Sequence, residues 1–191
     1  MPELNKKLAE LLAYMDEARV RLCATAGGIN PSVASIRPRS GEWSAAEIVA
    51  HLAMVEDGVG RLLSKGIKQA REEGVGPDTS DASLVSNLDK FQVIENETKR
   101  IAPTTITPTD PRPLEESLAA LEQSRAKLRE ALIASSDLDL SSIKRPHPVL
   151  GDLNLYEWAL FVAQHEERHR RQIERTINEV TELAAECAPI V

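Results

Sequence analysis

The sequence predicts an all-α fold with four principal helices and one shorter helix. Apolar residues recur at helical spacing along much of the 191 residues, and aromatic side chains make up only 3% of them. A core built mainly of Leu, Ile, Val and Ala is typical of helices packed on helices. No segment alternates apolar and polar residues between turn signals, so we expect no strand. The length suits a single domain over residues 1–191.

The first two helices have clear sequence signals. Regularly spaced leucines predict a helix over residues 3–26, and two glycines end it. After a proline-containing loop, a second helix is predicted over 44–74. Ser44 can cap its first turn while Glu47 reaches back to the Ser44 amide, and Trp43 can pack against that turn.

The later elements alternate with long connections. A short helix is predicted over 83–100, and four prolines within 102–113 then require an extended connection. The fourth helix is predicted over 114–134 and is followed by a loop over 135–153. The last helix begins at Asn154 with the same pattern of a polar cap and an acidic residue three positions later.

Charge and composition exclude several classes of protein. The formal net charge is −7 and the isoelectric point is about 5.2, whereas a protein that binds nucleic acid needs clustered cations. No apolar run approaches the roughly 20 residues that cross a bilayer. The sequence therefore predicts a cytoplasmic protein that binds neither nucleic acid nor membrane, with reduced cysteines and Cys23 buried.

Three of the four histidines lie on the two best-defined helices. His165 and His169 are four residues apart, so they project from one helical face, and His51 has apolar neighbours at helical spacing on another helix. Helices lying side by side could bring these imidazoles to one divalent metal ion. Spacing alone leaves two interpretations open, a metal site and hydrogen-bonded structural histidines.

The run from His165 to His169 also matches the HExxH pattern of zinc metalloproteases, with Glu166 as the water-activating base. The further histidine of the extended protease pattern is absent after His169. No predicted strand precedes the helix to bind a peptide. An HExxH-type metallohydrolase is therefore a minor alternative.

Several motifs together resemble the DinB/YfiT-like superfamily. They are the pair Trp43-Ser44 followed by His51-Leu52, the closing run from Trp158 to Ile173, and the His147-Pro148-x-x-Gly151 element between them. The resemblance extends over nearly the whole chain in the order of helices and loops. It implies a DinB-like up-down four-helix bundle with an additional short helix and long proline-rich connections.

The resemblance also implies a function. Members bind zinc, nickel or a similar ion through a histidine triad, often as homodimers, and the matching positions here are His51, His165 and His169. Characterised relatives include metal-dependent thiol S-transferases that use bacillithiol, mycothiol or glutathione, and a mycothiol-dependent maleylpyruvate isomerase. We therefore expect a metal-dependent small-molecule enzyme, a thiol S-transferase that uses a low-molecular-weight thiol or a hydrolase. The alternative is a non-enzymatic metal-binding stress-response protein.

Other side chains are weaker candidates for the site. Glu56 lies five positions after His51 and could act as a base, as could Glu166, but both also fit a solvent-exposed helix face. His147 could line the pocket or fix its loop. Gln172 follows His169 by three positions and could support that ligand.

Overall fold

Four long helices form the bundle in this computed structural model, which describes residues 4–95, 102–109 and 112–186, with side chains through residue 183. The helices are α1 (Lys6–Gly27), the single turn α2 (Pro31–Ala34), α3 (Ala45–Glu72), α4 (Leu114–Ile133) and α5 (Leu155–Glu186). The predicted all-α four-helix bundle is confirmed. The bounds predicted for the long helices agree with these to within three residues where both ends were predicted.

Hydrogen bonds that side chains make to neighbouring helices show the directions of the helices. Residue numbers rise together across contacts between α1 and α5 and between α3 and α4, and they run oppositely between α1 and α4. The contacts are Asn5–Tyr156 and Arg21–Glu167 for α1 and α5, Glu56–Ser124 and Arg71–Ala134 for α3 and α4, and Asp16–Arg129 and Arg19–Leu121 for α1 and α4. The order is therefore up, down, down, up, which differs from a simple up-down bundle because α3 and α4 run in the same direction. The connection from α3 to α4 must return along the length of the bundle.

The predicted helix over 83–100 is wrong in its described part. Residues 83 and 84 are extended or irregular, residues 85–95 form successive turns with one 3₁₀ turn at Asp89–Phe91, and residues 96–100 of the prediction lie outside the described residues. Leu84 and Leu88 are buried in the main core. Leucines four positions apart can be buried by a chain of turns packed on the bundle as well as by a helix. Their spacing therefore did not distinguish the two structures.

A second correction concerns the loop before α5. It contains an antiparallel pair of strands, β1 (Lys144–His147) and β2 (Gly151–Asn154), in which Lys144 pairs with Asn154 and His147 with Gly151. Each strand has four residues, which is too short for a visible alternation of apolar and polar positions. Gly151 has a φ of +78°, a conformation that glycine adopts without strain at the end of the turn.

Two apolar clusters fill the bundle. The larger one includes Leu8, Met15, Leu128 and Tyr156, and the smaller one lies around the first turns of α3 and includes Ile48. No helix among the described residues is both long enough and apolar enough to cross a bilayer. The smaller cluster holds the histidine-bearing part of α3 in place.

Candidate metal centre

The beginning of α3 fixes the position of His51. The Ser44 side chain accepts a hydrogen bond from the Glu47 amide, and the Glu47 carboxylate accepts one from the Ser44 amide, so the predicted capping box is confirmed. His51 lies two turns further on and is 3% exposed. A reciprocal pair of bonds between Asn154 and Glu157 fixes the start of α5 in the same way.

The structure brings the three predicted histidines together. The ring centroid of His51 lies 5.3 Å from that of His165 and 5.0 Å from that of His169, and the two rings on α5 are 4.4 Å apart. One nitrogen of each ring lies within 4.8 Å of the others. Nitrogens bound tetrahedrally to one ion at about 2.0–2.1 Å are about 3.3 Å apart. The Nε2 atoms of His165 and His169 are already 3.1 Å apart.

Hydrogen bonds define which nitrogens can act as ligands. Nδ1 of His51 lies 2.7 Å from the carbonyl oxygen of Ile106, and Nδ1 of His169 lies 2.7 Å from Oε1 of Gln172. Because both oxygens can only accept, each Nδ1 carries the proton, and each Nε2 presents a lone pair. A second hydrogen bond of this kind typically orients histidine ligands of metals. The donor set therefore fits a divalent cation.

Burial keeps the three imidazoles neutral. Loss of hydration lowers the pKa of His51 and lowers that of His165 well below its usual range, and the neighbouring histidines add to the effect at His165. For His169 the pKa falls to about 3, again mainly through burial. A neutral imidazole is the form that binds a metal ion, so these rings need not lose a proton first at neutral pH.

Aromatic rings surround the cluster, and His147 belongs to this outer layer. Trp43 lies 4.9 Å from the His51 ring, and Phe161 lies 5.1 Å from the His165 ring. The His147 ring packs against Phe161 at 4.6 Å. Its Nδ1 accepts bonds from the amides of residues 149 and 150, both at 3.1 Å, so it helps to fix the turn between the strands.

The sequence allowed the two candidate glutamates, Glu56 and Glu166, to lie on a solvent-exposed helix face. In the structure both are buried instead. Glu56 and Glu166 are each 1% exposed, and both carboxylates accept hydrogen bonds from two buried arginines. Arg19 binds Glu56 at 2.8 Å and Glu166 at 2.6 Å, while Arg125 binds the same two carboxylates at 2.5 and 3.0 Å. We call these four residues the ion-pair ring. Burial raises the pKa of Glu166, and the two guanidinium groups oppose that rise.

The arginines of the ring were missed at the level of sequence, although a signal existed. Arg19 follows Met15 by four positions, and Arg125 follows Leu121 by four, so each occupies a place in an apolar stripe. Cys23, which we expected to be buried, is exposed. It lies four positions after Arg19, at the edge of that stripe.

Comparisons with known proteins agree with this fold. A sequence model of the DinB superfamily matches residues 8–173. The chain is 24% identical over 174 residues to the uncharacterized protein YuaE of Bacillus subtilis (strain 168), which covers 91% of this chain and 100% of YuaE. A crystal structure of TT2238, a four-helix bundle protein, aligns with a TM-score of 0.59 and 25% identity over 88% of this chain and 98% of that chain. The chain belongs to the DinB superfamily.

Proposed function

We propose that the protein is a metal-dependent enzyme acting on small molecules, with His51, His165 and His169 as ligands of one divalent ion. The observation that carries the proposal is the convergence of three buried imidazoles from two helices. On His51 and His169 the proton sits on Nδ1, which leaves Nε2 available. Zinc or nickel is the expected ion, since imidazole suits both.

The donor set favours catalysis over a purely structural site. Three neutral ligands leave the ion's charge uncompensated and one position of a tetrahedron open. An ion held in this way supplies the positive charge that lowers the pKa of a thiol or water molecule beside it. We therefore propose thiol S-transfer or hydrolysis as the reaction class.

The thiol would be a low-molecular-weight cosubstrate. Although the Cys23 side chain is exposed, loss of hydration around its sulfur raises the pKa of the thiol, so little of the nucleophilic thiolate forms at neutral pH. On the α5 side of the cluster, the rings of Trp158, Phe161 and His147 pack into a layer of their own. This layer adjoins His165 and offers an apolar wall for an organic acceptor. We propose that this layer lines the substrate pocket.

The ion-pair ring argues against an HExxH-type metallohydrolase. In that mechanism Glu166 would have to accept a proton from water at the metal. Both oxygens of its carboxylate instead accept hydrogen bonds, one from Arg19 and one from Arg125. Glu56 is engaged in the same way and also accepts a bond from Ser124 at 2.9 Å. Neither glutamate is therefore proposed as a base.

Elemental analysis of protein purified without a polyhistidine tag tests the site. We expect about one zinc or nickel ion per chain, and loss of that ion in His51→Ala, His165→Ala and His169→Ala. The matched control is His147→Ala, because His147 is the fourth histidine and lies outside the cluster. Full metal content in His51→Ala would contradict the three-histidine site.

A second experiment separates an enzyme from a non-enzymatic metal-binding stress-response protein. The metal-loaded protein is mixed with glutathione, bacillithiol or mycothiol and an electrophile such as monochlorobimane. We expect one thiol to react faster than the background, and His51→Ala to abolish the increase. Metal binding without turnover of any thiol or hydrolysable ester would favour the non-enzymatic alternative.

Two further expectations stay predictions. A homodimer would appear in light scattering at twice the chain mass of 21.0 kDa. A cytoplasmic location would appear as recovery in the cytosolic fraction of the source cells.

A further inference from the structure

The ion-pair ring joins all four long helices. Arg19 comes from α1, Glu56 from α3, Arg125 from α4 and Glu166 from α5, and every guanidinium contacts both carboxylates. The four side chains are between 2% and 9% exposed. The four groups are therefore buried and their formal charges sum to zero, and Arg19 also forms an ion pair beyond them, with the exposed carboxylate of Glu122 at 3.3 Å.

The ring separates the two apolar clusters. On each helix the ring residue lies between a residue of the larger cluster and a residue of the smaller one. The flanking pairs are Ala18 and Leu22 on α1, Val59 and Ala53 on α3, Leu128 and Leu121 on α4, and Ala163 and Ile173 on α5. The ring thus forms a single polar layer across the bundle.

The histidines lie next to this layer. Glu166 directly follows His165 on α5, and Glu56 follows His51 by five positions, about 7.5 Å along the axis of α3. Because α3 and α5 are antiparallel, the steps from Glu56 back to His51 and from Glu166 on to His169 lead in the same direction. The two helices that supply the ligands are therefore tied together beside the cluster.

Energetic considerations indicate that the ring serves for more than stability. Burial strips water from four charged groups, and well-packed apolar residues of similar volume often stabilise a protein equally well or better. Apolar burial, however, is non-directional, so by itself it contributes no bond that selects one height or rotation of a helix. Hydrogen bonds between guanidinium and carboxylate groups are directional. They form well at only one position along the axis and one rotation of each helix.

We propose that the ion-pair ring is a positioning device for the candidate metal centre: it fixes α3 against α5 so that His51 meets His165 and His169. The proposal builds on the proposed function, because it assigns the ring's purpose to that site. Arg19, Glu56, Arg125 and Glu166 are positioning residues in this scheme, and none of them contacts metal or substrate.

The test replaces the whole ring with apolar residues of similar size, in the variant Arg19→Met, Glu56→Leu, Arg125→Met, Glu166→Leu. Two positive and two negative charges are lost together, so the net charge is unchanged. We expect a midpoint of thermal unfolding equal to or above that of the wild type. We expect zinc affinity, measured by competition with a chromophoric chelator, to fall at least tenfold, as when groups that orient metal ligands are lost.

A metal-independent measurement accompanies it. The protein has only four histidines, so ring protons of labelled histidine can be assigned by NMR. In metal-free wild type we expect nuclear Overhauser effects between His51 and His169, whose centroids are 5.0 Å apart. The ring-replacement variant should lose them. If it folds, keeps these effects and binds zinc with wild-type affinity, the proposal is overturned.

Two further variants complete the design. Asp16→Leu with Arg129→Met removes an exposed ion pair between α1 and α4 and should leave zinc affinity unchanged. Should the ring-replacement variant fail to fold, Glu166→Gln decides, because it keeps the shape of the ring. We expect its zinc affinity to fall at least threefold, and wild-type affinity would overturn the proposal. If the wild-type protein does not bind zinc, the proposed function is contradicted. The nuclear Overhauser effects between His51 and His169 then test by themselves whether the ion-pair ring positions the histidines.

Discussion

Gln172 offers a direct test of how the protein prepares its histidines for a metal ion. His51 donates its Nδ1 proton to a main-chain carbonyl, which no substitution removes, whereas His169 donates to the side chain of Gln172 at 2.7 Å. Gln172→Ala therefore deletes the acceptor of one ligand and leaves the other in place. Loss of such a partner typically lowers metal affinity about 10- to 100-fold, which corresponds to about 1.4–2.7 kcal/mol.

The assay is competition for zinc between the protein and a chromophoric chelator at neutral pH. Gln172→Glu keeps an acceptor at the same place and should retain wild-type affinity or exceed it. Gln123→Ala is the matched control, because Gln123 is an exposed glutamine on α4. Equal zinc affinity in Gln172→Ala, Gln123→Ala and wild type would refute the assignment of the His169 tautomer and its role.

Three further predictions concern stability. Zinc at about 100 times its dissociation constant should raise the unfolding midpoint by about 5–10 °C, EDTA should reverse the rise, and His51→Ala should show neither effect in calorimetry. Gly66→Ala should destabilise by about 1 kcal/mol in urea, because the new Cβ would lie 2.7 Å from Cδ2 of buried Leu155 and overpacking outweighs the gain in helix propensity. In a Leu155→Ala background the same change should cost nothing. Burial alone would raise the pKa of Glu47, but hydrogen bonds from Arg37 and the Ser44 amide outweigh it and lower the pKa below 4.5. The resulting stabilisation is present above pH 4.5 and is lost as the pH falls through the folded-state pKa. The urea unfolding curves of wild type and Glu47→Gln should therefore converge as the pH falls below 4.5.

Local signals account for what the sequence predicted well. The capping box at Ser44 and the cap at Asn154 involve residues three apart, so they are visible without knowledge of the fold. The spacing of His165 and His169 is likewise set by one helix. His51 is a candidate because it has apolar neighbours at helical spacing on a second helix, and the resemblance to a family supports that choice. The structure brings the three rings together.

Features that depend on distant parts of the chain could not be predicted. The hairpin before α5 has strands too short to show a pattern, and the turns after residue 83 use leucines at the same spacing as a helix would. Glu56 and Glu166 look like surface residues until Arg19 and Arg125 are known to face them from other helices. Pairing across the bundle thus decides whether a charge in an apolar stripe is solvated or buried.

The acceptor for His51 has a consequence for how the site tolerates sequence change. The carbonyl of Ile106 belongs to the peptide chain, in a 3₁₀ turn over Thr104–Ile106, so its oxygen persists whichever side chain stands there. Substitutions at position 106 should therefore leave the hydrogen bond to His51 intact, as long as the backbone keeps its path. An insertion or deletion in the connection between α3 and α4 would displace this oxygen. The orientation of the His51 ring would then be disturbed although no histidine had changed.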